Sequence, residues 1–209
     1  MTVDLNNVKM GASPRAYHHG DLRSALITAA GTILAERGVD GFSLRETARR
    51  AGVSPAAPGH HFGDARGLLT AVAARAFAAL ADALAVATSA AAGDRQARLE
   101  AQGHAYVAFA LAHPGLFDLM WRRALVDTTN PELAVAGRRA FAMLDAIVRD
   151  GAPPIADPLD PALAPTHAAW SLVHGFARLA LDGVFGSDAD TPARAAAALL
   201  PAILGCLVV

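Results

Sequence analysis

Cysteine is nearly missing from this chain. One residue among 209, Cys206, leaves no internal disulfide framework and no cysteine-based zinc site. Aromatic residues supply only 6% of a sequence that is 54% hydrophobic. β-Branched runs are nearly absent, and the helix formers Ala, Leu and Arg dominate, so the composition describes an all-α protein rather than a β-sandwich. The first ten residues are polar with a single basic residue, Lys9, and show no secretory pattern, so a reducing, cytoplasmic compartment is expected. No nucleophile elbow, phosphate loop or dinucleotide fingerprint is present, and the glycines stand singly. The length suits one domain or two small ones with ample core.

Histidine, by contrast, is plentiful, with eight residues. The adjacent pairs His18/His19 and His60/His61 diverge on a helix and lack the i, i+4 spacing that brings two ligands to one metal. A helical metalloenzyme is therefore set aside, and no metal, no cofactor and no enzymatic activity are expected. The net charge of −1 is uninformative, but its distribution is not. Through residue 70 there are eight Lys/Arg against six acids, an excess of two that leaves −3 for the remainder. A mildly basic N-terminal module on an acidic body suits a polyanionic partner.

Within that module, Ser43 to Phe62 reads as two short helices joined by a tight turn. Ser43 with Glu46 three residues on forms a capping box for the first. Ala51-Gly52-Val53 makes the turn, Gly52 taking the left-handed conformation. Ser54 caps the second helix, with Pro55 at its first position. An ordinary helical hairpin and a DNA-binding helix-turn-helix share this pattern, and the flanks decide between them. Leu22, Leu26, Ala29, Ala30 and Ile33 recur at helical spacing after Asp21, a candidate N-cap, and give a preceding helix to about Arg37. The result is a three-helix unit whose third helix presents a face outward.

Residues 1–13 lack periodicity and read as a disordered arm. Residues 14–63 form the helix-turn-helix domain, and 64–209 form a helical body. Asp64 caps a long fourth helix with a buried stripe of Leu68, Leu69, Val72, Ala76, Leu80 and Leu84. Helices follow at about 94–112, 116–125 and 131–148, then a loop over 151–165 with five prolines, then two helices at about 166–185 and 192–207. The last fifteen residues, after Arg194, carry no charged side chain, but Pro201 interrupts a run too short for the roughly 20 apolar residues of a membrane span. No membrane partner is expected. A helix apolar on every side needs protein cover, and a second copy of the chain supplies it, giving a homodimer through the last two helices.

The chain resembles a TetR-type (tetracycline-repressor-like) transcriptional regulator. The resemblance is carried by Tyr17-His18-His19-Gly20-Asp21-Leu22-Arg23, by Ser43 to Val53, by Ser54-Pro55-Ala56-Ala57-Pro58 leading to His61-Phe62, and by Asp64 with Leu68-Leu69. Trp170, His174 and Gly175 resemble the Trp/His/Gly signature of one class of C-terminal ligand domain in this superfamily. The resemblance implies an all-α homodimer: a three-helix helix-turn-helix domain binds double-stranded DNA at a palindromic operator, and a long helix joins it to a ligand-binding and dimerisation domain. It further implies a ligand-responsive regulator, a repressor released from its operator by a small, largely apolar effector. The candidate DNA-contacting set is Arg45, Ser54, Pro55, Ala56, Ala57, Gly59, His60, His61 and Arg66. For these, capping by Ser54 and a merely solvated face for the arginines are the alternatives. His104, Phe109, Phe117, Met120, Trp121, Met143, Trp170 and His174, with Tyr106, are the candidates for the ligand cavity; plain core is the alternative for each aromatic.

Two departures from the family pattern matter. Gly59-His60 stands where a Tyr followed by a basic residue is usual, and Asp64-Ala65 stands where Asp-Lys is usual, with Arg66 one step later as a partial replacement. Both missing side chains belong, by resemblance, to the phosphate-contacting set. Each lost phosphate contact lowers the salt slope of binding by about 0.9. A helical small-molecule-binding dimer with weakened or lost DNA recognition is accordingly the second reading.

Overall fold

In the computed structural model, residues 19–186 and 188–207 are described. The expectations for the 1–13 arm, Tyr17 and His18 lie outside these residues, as do those for the side chains of His19 and Asp21. Helix α1 spans His19–Arg37, so Asp21 falls inside it rather than ahead of it. It is followed by α2 (Leu44–Arg50), α3 (Ala57–Phe62) and the long α4 (Ala65–Ala90). Then come α5 (Arg95–Ala112), α6 (Pro114–Trp121), α7 (Pro131–Val148), α8 (Ala164–Leu181) and α9 (Thr191–Leu204). Among the described residues there is no strand, and the all-α expectation holds.

Local signals explain most helix ends. The Ser43 hydroxyl accepts from the Glu46 N–H at 3.3 Å and starts α2. The other half of the capping box does not form, because the Glu46 carboxylate is taken by Arg49 and Arg50. Gly52 ends the helix at φ +69°, where Val53 N–H bonds Ala48 O and Gly52 N–H bonds Arg49 O, the paired bonds of a Schellman motif. Ser54 does not cap α3. The helix starts later, at Ala57, and the Ser54 carbonyl accepts from the Ala57 N–H in a tight turn. Pro58 thus lies in the first turn, where its missing N–H costs nothing. Asp64 and Asp94 cap α4 and α5 through the N–H groups of Gly67 and Ala97. The proline-rich loop is shorter than expected, since Pro165 sits in the first turn of α8.

α4 unites the molecule. Its N-terminal half, with Leu68, Leu69 and Val72, packs into one core with Leu26, Ala30 and Leu34 of α1. Its C-terminal half, with Ala76, Leu80 and Leu84, enters a second core with residues of α5, α6, α8 and α9. By length and composition α4 is apolar enough to cross a membrane, but the stretch that passes this test is 61% buried inside the protein. α6 presses so closely on α1 that a Cβ at Gly115 would collide with the Leu34 carbonyl.

Candidate functional site

The outward face of the three-helix unit combines one arginine of α2 with the turn and the short α3. Arg45, Ser54, Pro55, Ala56, Gly59 and His60 are exposed, Ala57 and His61 are half-buried, and Pro58 is buried against the unit. Pro55 joins Ser43, Arg45 and Arg49 around an open recess between α2 and the turn. At Gly59 an added Cβ would meet nothing within 4 Å, so glycine is not required there by packing.

The three arginines of α2 have different surroundings. Arg50 bridges α2 to α1: it bonds Glu46 on its own helix and Glu36 at 2.6–2.8 Å. Arg49 forms a bidentate pair with Glu46 at 2.8 Å, with its outer edge still exposed. These bonds, from Arg49 first and then Arg50, pull the Glu46 carboxyl down to about 2. Arg45 is exposed. Arg66, by contrast, is turned toward the body, its Nη2 donating to the Val126 carbonyl at 3.0 Å.

The body holds a partly open apolar cavity of about 240 Å³ bounded by α4, α5, α6, α7, α8, α9 and Leu207. This is just below the roughly 300–1,000 Å³ usual for ligand pockets. Its walls include Phe77 and Leu80 from α4, Trp121 from α6, Phe141 from α7 and Trp170 from α8. Trp121 and Trp170 meet at 5.3 Å between ring centroids, and Phe77 meets Trp121 edge-on at the same separation. Two wall residues, Trp170 and Tyr106, form a bonded triad with His174 behind them. Trp170 Nε1 donates to Tyr106 Oη at 3.3 Å, and the Tyr106 hydroxyl shares a hydrogen bond with His174 Nδ1 at 2.8 Å. Burial, and then the Arg178 charge, lower the His174 pKa from 6.5, which favours the neutral ring. Burial also raises the Tyr106 pKa, so the hydroxyl keeps its proton.

Of the eight candidate ligand residues, Trp121 and Trp170 line this cavity, as does Tyr106. Phe109, Phe117 and Met120 are buried core one layer behind, Phe117 fully so. His104 lies on the exposed side of α5. Met143 contributes its carbonyl to Gln102, and His174 acts through Tyr106 rather than from the wall. Gly175 does not admit a neighbouring helix within the protomer, since a Cβ there would meet nothing within 4 Å. Sequence reasoning missed Gln102 and Gly137, which also line the cavity. Gln102 had a signal: it interrupts the buried Leu99, Gly103, Tyr106 stripe of α5 with a polar side chain that is 3% exposed.

A short exposed helix behind a glycine turn, on a three-helix unit sharing one long helix with a cavity-bearing body, defines a helix-turn-helix regulator with an effector-sized pocket. The comparisons agree. Residues 26–72 match the tetR family of bacterial regulatory proteins, and residues 99–203 match the tetracyclin repressor-like C-terminal domain. A solved structure of a protein of unknown function from Rhodococcus sp. RHA1 is 35% identical, with 92% of this chain and 98% of that one aligned at a TM-score of 0.71. The transcriptional regulator FadR from Bacillus subtilis, solved with stearoyl-CoA, shares 16% identity over 88% of this chain and 97% of that one at TM-score 0.65. LfrR from Mycobacterium smegmatis, solved with proflavine, shares 18% identity over 90% and 98% at TM-score 0.59. No curated protein matches the sequence. The chain belongs to the tetR family: it is a helix-turn-helix transcriptional regulator, not an enzyme.

Proposed function

We propose that this chain is a cytoplasmic homodimeric repressor that a small, largely apolar molecule releases from a palindromic operator. Residues 14–63 serve as the reading head and 64–209 as the effector and dimer body. The observation that carries this reading is the double role of α4, which starts against α3 and ends as a wall of the cavity. In the DNA-bound state the two α3 helices of the dimer sit about 34 Å apart, in successive major grooves. Arg45, Ser54, Pro55, Ala56, Ala57, Gly59, His60 and His61 form the contact surface, with the alanines suited to thymine methyls and His60 to a base edge or phosphate. Arg66 stays in this set: one of its N–H groups donates to the Val126 carbonyl, and the residue is exposed.

The effector acts by preferring one of two dimer states. Trp121 touches the cavity, and the next residue, Arg122, pairs with Asp40 of the reading head at 2.9 Å and with Asp118 at 3.1 Å. Asp118 in turn meets Arg178 of α8 at 3.5 Å. A second joint lies where Thr70 Oγ1 donates to Arg66 O and accepts from the Asp127 N–H. A ligand that shifts Trp121 therefore pulls on the Arg122–Asp40 joint, which crosses to the reading head. We carry the Trp/His/Gly class over in the same spirit: Trp170 as wall, His174 as its brace through Tyr106, and Gly175 on the dimer side of α8.

The dimer reading rests on the outer faces of α8 and α9. Leu179 and Leu199 are 46% and 42% exposed, beside the small residues Gly175, Ala198 and Ala202. Enrichment of genomic fragments on the purified protein tests the whole proposal. Recovery of a palindromic fragment whose binding weakens as salt rises supports it; a stable monomer without salt-dependent DNA affinity overturns it. The second reading, a dimer with weakened or lost DNA recognition, is motivated by Gly59 and Ala65. DNA binding that emerges only in the double variant Gly59→Tyr, Ala65→Lys would select it.

A further inference from the structure

The wall residues that α5 gives to the partly open cavity are buried, whereas Gly137, Phe141 and Leu144 of α7 and Trp170 of α8 are half-buried. The cavity therefore reaches toward the surface along the seam between α7 and α8. At Gly137 an added Cβ would meet nothing within 4 Å, so this seam contains free space.

The seam is pinned at one end only. The Thr166 hydroxyl donates to Asp145 at 2.9 Å where the end of α7 meets the start of α8. Among the described residues no other hydrogen bond or ion pair joins the two helices. Rings close the next turn instead. Phe141 of α7 meets the His167 ring at 5.2 Å and the Trp170 ring at 6.2 Å between centroids, and His167 meets Trp170 at 6.2 Å. Phe141 and Trp170 line the cavity; His167 touches both rings without lining it. His167 Nε2 donates to the carbonyl of Pro158, in the loop between the helices, at 3.2 Å. The rings of Phe141 and His167 can swing apart by rotamer changes that break no backbone hydrogen bond and desolvate no charge.

Resting on the reading of this cavity as the effector site, we propose that the effector enters and leaves between α7 and α8, through a gate formed by Phe141 and His167 with the Asp145–Thr166 bond as its hinge. Because His167 is absent from the cavity wall, it acts on the barrier and not on the bound state. Loosening it speeds entry and exit alike and leaves affinity where it was.

The test uses the full chain and the neutral probe N-phenyl-1-naphthylamine, followed by stopped flow. Both tryptophans of the chain, Trp121 and Trp170, line the cavity, so quenching of their emission reports the probe's arrival. We expect His167→Ala to raise the association and dissociation rates together by roughly 2- to 10-fold, the worth of one aromatic pair, with Kd unchanged within about twofold. His167→Phe keeps the ring contacts and should exchange the probe at the wild-type rates. His113→Ala removes a comparable ring pair, 5.0 Å from Phe109 and outside the cavity lining, and should leave both rates alone. Should His167→Ala fail to fold, His167→Gln takes its place. Wild-type rates in the His167 variant, an equal rise in His113→Ala, or a change in one rate alone overturns the gate while leaving the cavity as a ligand site. Absence of saturable quenching by this probe and by 1-aminoanthracene overturns the effector-site reading itself.

Discussion

Asp145 is the buried acid on which the rear of the body turns. It accepts two bonds from Arg149 at 2.6–2.8 Å and one from the Thr166 hydroxyl at 2.9 Å, tying the end of α7 to the start of α8. Removing one partner of such a pair strands the other charge, so Asp145→Ala should cost roughly 3 kcal/mol, read as a lower melting temperature. The Arg149 guanidinium, then Thr166, hold the Asp145 carboxyl below its ordinary 3.8. A depressed acid stabilises the fold fully above its unfolded value and loses that contribution as pH falls through the folded value. The stability curves of wild type and Asp145→Ala should therefore stay apart at neutral pH and converge only as pH drops below 3.8. Gly59 gives the opposite expectation. With open space at its Cβ position, Gly59→Ala should stabilise the fold by roughly 0.5–1 kcal/mol through helix propensity alone. A melting temperature that falls instead would mean that glycine is needed for the backbone of α3.

At the scale of elements, periodicity and caps told most of the story. The α4 stripe from Leu68 to Leu84 is buried as read, and Asp64 caps its helix. Ser54 was misread because a Ser-Pro pair looks like a cap with Pro at the first position, whereas the chain makes one more turn before α3 begins. Partnership is harder to read than position: no spacing rule places Arg66 on Val126, or Arg50 on Glu36 of another helix. The cavity was legible only as a list of aromatics, because whether a ring lines a void or fills the core depends on how six elements close around it. Arg122 connects these elements to the reading head. Both partners of its bond to Asp40 are well exposed, so the pair adds little stability. Arg122→Ala should therefore leave folding and effector binding unchanged, yet reduce the effector's influence on operator affinity by roughly 2- to 30-fold. Operator titrations with and without effector measure it. Gly137→Leu addresses the cavity itself: a side chain at this wall position meets open space, and should abolish effector binding while leaving operator binding intact.

For the whole molecule the decisive question is how one cavity per chain governs two reading heads. A variant that breaks only the dimer shows whether effector binding and dimerisation are separable. Leu179 on α8 and Leu199 on α9 are exposed and lie outside the lining of the cavity. Replacing both with arginine places four like charges at the proposed interface of the dimer, which should yield a monomer by sedimentation. A monomer engages one half-site at a time. It forfeits the effective concentration that links the second half-site to the first, a factor of about 10²–10⁴ in avidity. Operator affinity should fall by that order, while calorimetry should find the effector bound as tightly as by the wild type. Loss of effector binding together with the dimer would mean that the cavity is shaped across the interface. Unchanged sedimentation would place the dimer contact elsewhere than on α8 and α9.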